Sequence, residues 1–176
     1  LGRHISRQAK SCFGSENFRQ NWKKSLPKQL PSKNRLYYFS LFGPAGLFEH
    51  QVLIPHVSVR EYLKRFNSLI KEKTPVISLC HMKLFQGEQR HLSFDGSGFC
   101  LAIHAPANPR TFDFLQALDR IDNEFGCIAN IVKDSRLPPS VIASQYSQLD
   151  IFRSKLGNYD PGFIFQNTIS DKLFDA

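Results

Sequence analysis

The sequence predicts an α+β fold: a split β-α-β-β-α-β antiparallel sheet with its helices on one face, followed by a C-terminal helical tail. Three observations predict it. Between residues 47 and 132 the apolar pattern switches repeatedly between strand-like runs and helical spacing. Each switch coincides with a Pro, Gly or Asn boundary signal, and helical spacing resumes after Leu137-Pro138-Pro139.

Taken in order, Leu47–Ile54 is apolar and strand-like and is closed by Pro55. Ser58-Val-Arg-Glu61 has capping-box spacing, and Val59, Leu63, Phe66 and Ile70 recur at helical intervals up to Lys71. Thr74-Pro75 breaks the chain before a second strand, Val76–Phe85, and residues 86–95 form a polar loop. A third strand covers Phe99–Ala105. Asn108-Pro109 then supplies an N-cap and a first-turn proline for a helix through Phe112, Leu115, Leu118, Ile121 and Phe125, stopped by Gly126. Cys127–Val132 is the fourth strand. Helices over 139–147 and 149–157 follow, the latter ended by Asp160-Pro161.

The chain has 176 residues with 41% apolar content, enough for one domain with a real core. Its net charge of +8 is concentrated in residues 1–35, which hold nine Lys/Arg against Glu16 alone. The rest carries 14 charges of each sign. This is a basic leader before a balanced domain, with a helix expected over 15–25 on Phe18 and Trp22 and an apolar run from Leu36 to Phe42. Three segments are expected: the leader 1–35, a domain over 36–133 and a tail over 134–176. The absence of a membrane-length apolar run and of a signal peptide suggests a soluble piece of something longer. Four cysteines without a regular framework (Cys12, Cys80, Cys100 and Cys127) suit a reducing, cytoplasmic setting.

Strand alternation sorts the sheet into two faces. Phe48, Val52, Ile54, Val76, Cys80, Met82, Leu84, Phe99, Leu101, Ile103, Ile128 and Val132 form the expected helix-covered face. The other face holds Glu49, Gln51, His81, Lys83, Cys100, Ala102, His104, Ala129, Ile131 and Lys133. Solvent is one reading of this second face. Its mixture of small, apolar and isolated polar groups also suits a surface covered by another layer or a flat ligand, and it is the best candidate site.

Cys80-His81 and Cys100-x-x-x-His104 do not make a metal site, because Cys80 and His81 point to opposite faces and the spacing fits no usual zinc motif. Nothing places an orienting group or oxyanion donor for a Cys-His nucleophile, so Cys100 reads as a buried thiol. An RNA-binding sheet would want aromatics on the open face, where only Phe85 occurs, and nucleic acid is not an expected partner. A non-enzymatic, ferredoxin-like module that binds RNA or an anionic partner through the basic leader is the alternative function.

The runs Gly43-Pro-Ala-Gly-Leu-Phe-Glu-His-Gln-Val-Leu-Ile-Pro55, Met82-Lys-Leu-Phe85, Phe99-Cys-Leu101, Lys133-Asp-Ser-Arg136, Tyr159-Asp-Pro-Gly-Phe-Ile-Phe165 and Ser170-Asp-Lys-Leu173 occur in that order. Together they resemble the C-terminal part of the decaprenylphosphoryl-ribose oxidases, FAD flavoproteins of the vanillyl-alcohol-oxidase type. The resemblance covers residues 36–176. It implies a substrate-side domain and a tail that returns to an FAD domain of the same parent chain, whose dinucleotide-gripping segment this sequence lacks. By that resemblance Gln51, Lys83 and Cys100 line the substrate side of the flavin, and Lys133 lies beside both ring and substrate. Glu49 stands where the family tends to have Gln, and Gly98 where it has Asn; these departures bear on which substrate is used.

The implied activity is oxidation of a secondary alcohol of a sugar, polyol or lipid-linked sugar by hydride transfer to FAD, with peripheral membrane contact a further expectation. A fixed ammonium stabilises the charge left on a reduced ring, the role expected of Lys133. Lys83 suits an anionic group on the substrate and Gln51 its hydroxyls. Cys100 is expected to pack without reacting.

Overall fold

The computed structural model describes residues 45–134 and 136–174. The basic leader, the helix expected over 15–25 and the apolar run 36–42 lie outside them. Four strands, β1 (Leu47–Pro55), β2 (Leu79–Phe85), β3 (Gly98–Pro106) and β4 (Ile128–Ala129), alternate with α1 (Val59–Lys73) and α2 (Pro109–Glu124) in the expected order. They form one antiparallel sheet ordered β2-β3-β1-β4. Three shorter helices follow: α3 (Pro139–Gln145), α4 (Leu149–Tyr159) and α5 (Thr168–Phe174). Among the described residues no helix is long and apolar enough to cross a membrane.

The helix side of the sheet is one continuous core. Val52 and Ile54 of β1 and Leu101 and Ile103 of β3 pack with Tyr62 and Phe66 of α1 and with Phe114, Leu115 and Leu118 of α2. The α1 stripe is rotated from expectation: Tyr62, Phe66 and Leu69 are its buried residues, while Val59, Leu63 and Ile70 sit at the margin. Tyr62 wins the central place because its hydroxyl has a buried acceptor, Asp122 Oδ1 at 2.6 Å, so its large ring can be buried without stranding a polar group. Ser58 makes no side-chain cap, since its own backbone is already helical, and the capping-box reading fails there.

The start and stop of α2 follow the expected chemistry. Asn108 is extended, its Oδ1 accepts the Thr111 N–H at 2.9 Å, and Pro109 occupies the first turn. Gly126 sits just past the end at φ +64, where a side chain would be strained. The tail is continuous with this core through Leu137, Ile142, Tyr146, Leu149 and Leu173. Helix α5 falls where no helix was expected; Asn167 Oδ1 accepts the N–H groups of Ile169 and Ser170 and so caps it.

Two strands are shorter than expected. β2 begins at Leu79, leaving Val76 outside the sheet and 57% exposed, and Leu84 at its far end is also largely exposed. β4 has only two residues because Asn130 turns the chain: its Oδ1 accepts the Val132 N–H, and its carbonyl accepts those of Lys133 and Asp134. The register pairs Val52 with Ala129 and Leu53 with Ile128. The expected faces of β4 are therefore exchanged: Ala129 shares the core face, Ile128 the open one, and Val132 is 70% exposed. Beyond the turn, Ile131 is buried in the core and does not face outward with the open-face set.

β4 is closed on its outer side by α3. The Ala129 N–H donates to Gln145 Oε1 at 2.8 Å, and the Tyr146 hydroxyl donates to the Ala129 carbonyl at 2.6 Å.

At Gly98 the β3 backbone lies close against β1. A Cβ built there would lie 2.2 Å from the Ile54 carbonyl oxygen, so no side chain fits unless the strands move apart. Gly98→Ala should lower the urea midpoint by an amount equivalent to about 1–3 kcal/mol, the usual scale of overpacking, whereas Asn108→Ala should cost about 1 kcal/mol through loss of the cap.

Candidate functional site

The sheet carries polar chemistry on both faces, and adjacent residues of β1 supply it. On the open face, the register sets Lys83 opposite Cys100, His81 opposite Ala102 and Leu79 opposite His104. It also sets Gln51 opposite Ala102 and Glu49 opposite His104. Alternation thus gathers three of the four expected site residues, Gln51, Lys83 and Cys100, within two rows of the sheet. Gln51 Nε2 donates to Cys100 Sγ at 3.4 Å, and Gln51 Oε1 accepts from Asn130 Nδ2 at 2.6 Å.

Lys133, the fourth, is not at a strand end as expected but in the turn after β4. It still reaches the same face: its Nζ lies 3.5 Å from Glu49 Oε2. The other Glu49 oxygen lies 4.0 Å from His104 Nε2, and the His104 ring stacks on His81 with centroids 5.8 Å apart. Burial lowers the His104 pKa against the pull of Glu49, and the neighbouring His81 and Lys133 push in the same direction as burial. The ring is therefore neutral near pH 7. Cys100 is fully buried, which raises its thiol pKa, while the Gln51 hydrogen bond and the Lys83 charge work the other way. A protonated, buried thiol is a packing residue and not a nucleophile. Cys80 and Cys127 are also free thiols held protonated by burial.

Between Glu49 and Gln51, on the opposite face, His50 enters the core with 1% exposure. Its Nε2 lies 2.8 Å from Asp122 Oδ2 and its Nδ1 3.0 Å from Asp134 Oδ2. Arg136 binds the same Asp134 and spans both oxygens of Asp119 at 3.1 and 3.2 Å. Burial opposes the imidazolium, yet Asp122 and Asp134 overcome it and lift the His50 pKa to about 10. Asp134 is held below its ordinary range: burial acts upward, and the hydrogen bonds and charges of His50 and Arg136 outweigh it. His50, Asp119 and Asp122 bring possible metal-ligand atoms within 4.8 Å of one another. The cationic His50 and Arg136 already neutralise those carboxylates, so the group is an ion-pair network on its own terms.

Sequence reasoning overlooked this network, although it left signals. His50 interrupts the core-facing run Phe48, Val52, Ile54, and Asp122 adjoins Ile121 on the apolar stripe of α2. A charged residue on a buried stripe requires a partner. Asn130 was overlooked too; its signal was a turn-forming residue inside an apolar run.

No family model matches the chain.

His50 should make stability depend on pH. With a pKa of 6.5 unfolded and about 10 folded, its stabilisation is complete below about pH 6.5 and is lost as pH climbs through about 10. Of the groups around it, the Tyr62 hydroxyl and the Arg136 guanidinium are shifted upward and Asp134 downward, so these three keep their state over this window, while burial shifts Asp119 upward. Thermal unfolding midpoints should fall steadily across that range, and a His50→Gln variant, less stable at neutral pH, should show a flatter profile. A wild-type midpoint that does not fall with pH would contradict the charged state assigned to His50.

Proposed function

We propose that this chain is the substrate-side domain of an FAD-dependent oxidoreductase that oxidises a secondary alcohol of a sugar, polyol or lipid-linked sugar. The observation that carries the proposal is the convergence of Gln51, Lys83, Cys100 and, through Glu49, Lys133 on one face of the sheet. The motif resemblance supplies the chemistry. The donor set is compatible with a flavin: two ammonium groups and an amide surround a floor of small side chains, Cys100 and Ala102, and a flavin's pyrimidine edge is rich in acceptors. Lys133 and Gln51 are the residues that would hold it, and the bound cofactor would supply the hydride acceptor.

The roles of the chain's own groups follow from their charge and placement. Lys133 provides a fixed positive charge beside the reacting centre, where it favours negative charge developing in the transition state. Glu49 restrains that ammonium. Lys83, exposed at the end of the Cys100 row, is available to an anionic substituent of the substrate. Cys100 and Ala102 are small, fully buried side chains that add no bulk above the sheet between Lys83, His81 and Gln51. The FAD domain would come from the same parent chain, and peripheral membrane contact would suit a lipid-linked substrate.

The complete protein, expressed from its full reading frame, should show flavin absorption bands that this chain alone does not. In that protein Lys133→Ala should reduce flavin reduction by substrate at least about a hundredfold, the scale on which one preorganised electrostatic group acts, with an unchanged thermal midpoint. A colourless complete protein, or a Lys133→Ala variant reduced at the wild-type rate, would overturn the proposal.

A further inference from the structure

Three consecutive residues of β1 hold three points of the turn that carries Lys133. Gln51 holds Asn130 twice, its carbonyl accepting the Asn130 N–H at 2.8 Å and its Oε1 the side-chain amide at 2.6 Å. Glu49 takes the Lys133 ammonium at 3.5 Å. His50, facing the other way, takes the Asp134 carboxylate at 3.0 Å. Because side chains alternate along a strand, the chain leaving β4 is gripped from both faces of the sheet at once.

We infer that His50 and Asp134 are positioning residues for Lys133: they fix the backbone of the 130–134 turn from the core side, so that the lysine is presented at the open face. Neither touches the open-face site. Lysine has a flexible four-carbon stem, and its ammonium is placed only as well as its Cα is. The Cα of Lys133 lies between two anchors, the Lys133 N–H bond to the Asn130 carbonyl at 3.0 Å and the buried Asp134 carboxylate. That carboxylate is tied through Arg136 to Asp119, and His50 is tied to Asp122, so both lead to α2. Ion pairs with fixed hydrogen-bond directions set the rotation of the turn, which an apolar contact of the same area would leave free to slide. The functional meaning of the clamp rests on the open face being a flavin site; the clamp itself rests on the geometry alone.

The first test is residue-resolved amide hydrogen exchange on this chain. The His50→Gln/Asp134→Asn double variant removes both charges of the clamp, leaving Arg136 with Asp119 and Asp122 with the Tyr62 hydroxyl, and Asp134→Asn alone, close to isosteric and leaving His50 paired with Asp122, serves if the double variant does not fold. Protection at the amides of Asn130, Lys133 and Asp134 should fall at least about tenfold while Cys100 and Ala102 in β3 stay within about twofold, the pattern of a local opening. Equal loss everywhere, or an unchanged turn, overturns the inference.

The second test uses the complete protein with sulfite as probe, its binding read from bleaching of the flavin bands, because a cation near the ring favours the bound state. Sulfite affinity should weaken about tenfold in the clamp variant. A loosened turn with unchanged sulfite affinity overturns the positioning role. A loosened turn in a protein that carries no flavin upholds the clamp and defeats the functional proposal instead.

Discussion

A positive charge buried at His50 is the constraint around which the described residues are arranged. An imidazolium with 1% exposure can persist only where the surrounding structure supplies anions in hydrogen-bonding reach, and here Asp122 and Asp134 do so from two different segments. Each anion has its own second partner: Tyr62 for Asp122, and Arg136 for Asp134. One ring thereby connects β1 to α1, α2 and the chain following β4. Removing one member of such a set leaves an uncompensated charge, which costs on the order of 3–5 kcal/mol. The network therefore demands a specific arrangement more than it adds to net stability.

The same strand explains how core and site are related. Residues 49, 50 and 51 are neighbours in sequence but face alternately, so the β1 segment that anchors the ion-pair network also lines the candidate site. Small shifts of β1 would be felt on both faces. The close approach of Gly98 to Ile54 limits such shifts at one end of the β1–β3 pair. On the open face the polar groups are linked side to side, Asn130 to Gln51 to Cys100 in one line and Lys133 to Glu49 to His104 in another. Preorganisation of this kind is what electrostatic catalysis and ligand recognition both require.

Much of the fold was legible because its signals are local. Asn108-Pro109 and Gly126 bracket α2 by backbone chemistry that needs no tertiary partner, and Pro55 and Asp160-Pro161 fall at the ends of the elements they were expected to close. Where tertiary contacts decide, local reading failed. Ser58 has the right side chain for a cap but the wrong backbone angles, and Tyr62 displaced Leu63 from the centre of α1 because of an acceptor sixty residues away. β4 looked like six strand residues because Ile128, Ile131 and Val132 are β-formers; the Asn130 turn cut it to two and exchanged its faces. The open-face grouping of Gln51, Lys83 and Cys100 was recoverable from parity alone. Lys133 joined them through Glu49 and the turn, and no counting of alternation along β4 would have placed it there.

The way α3 closes β4 gives the sheet a direction. Gln145 and Tyr146 occupy both outward hydrogen-bonding groups of Ala129, so the β4 side cannot accept another strand without displacing them. Among the described residues no comparable plug faces the outer side of β2. Within the described residues the sheet is thus capped on its β4 side, and a strand added on the other side would lie beside Lys83 and His81. Such an addition would extend the open face at the lysine-bearing end of the Cys100 row and leave the Lys133 turn, at the opposite border, unchanged.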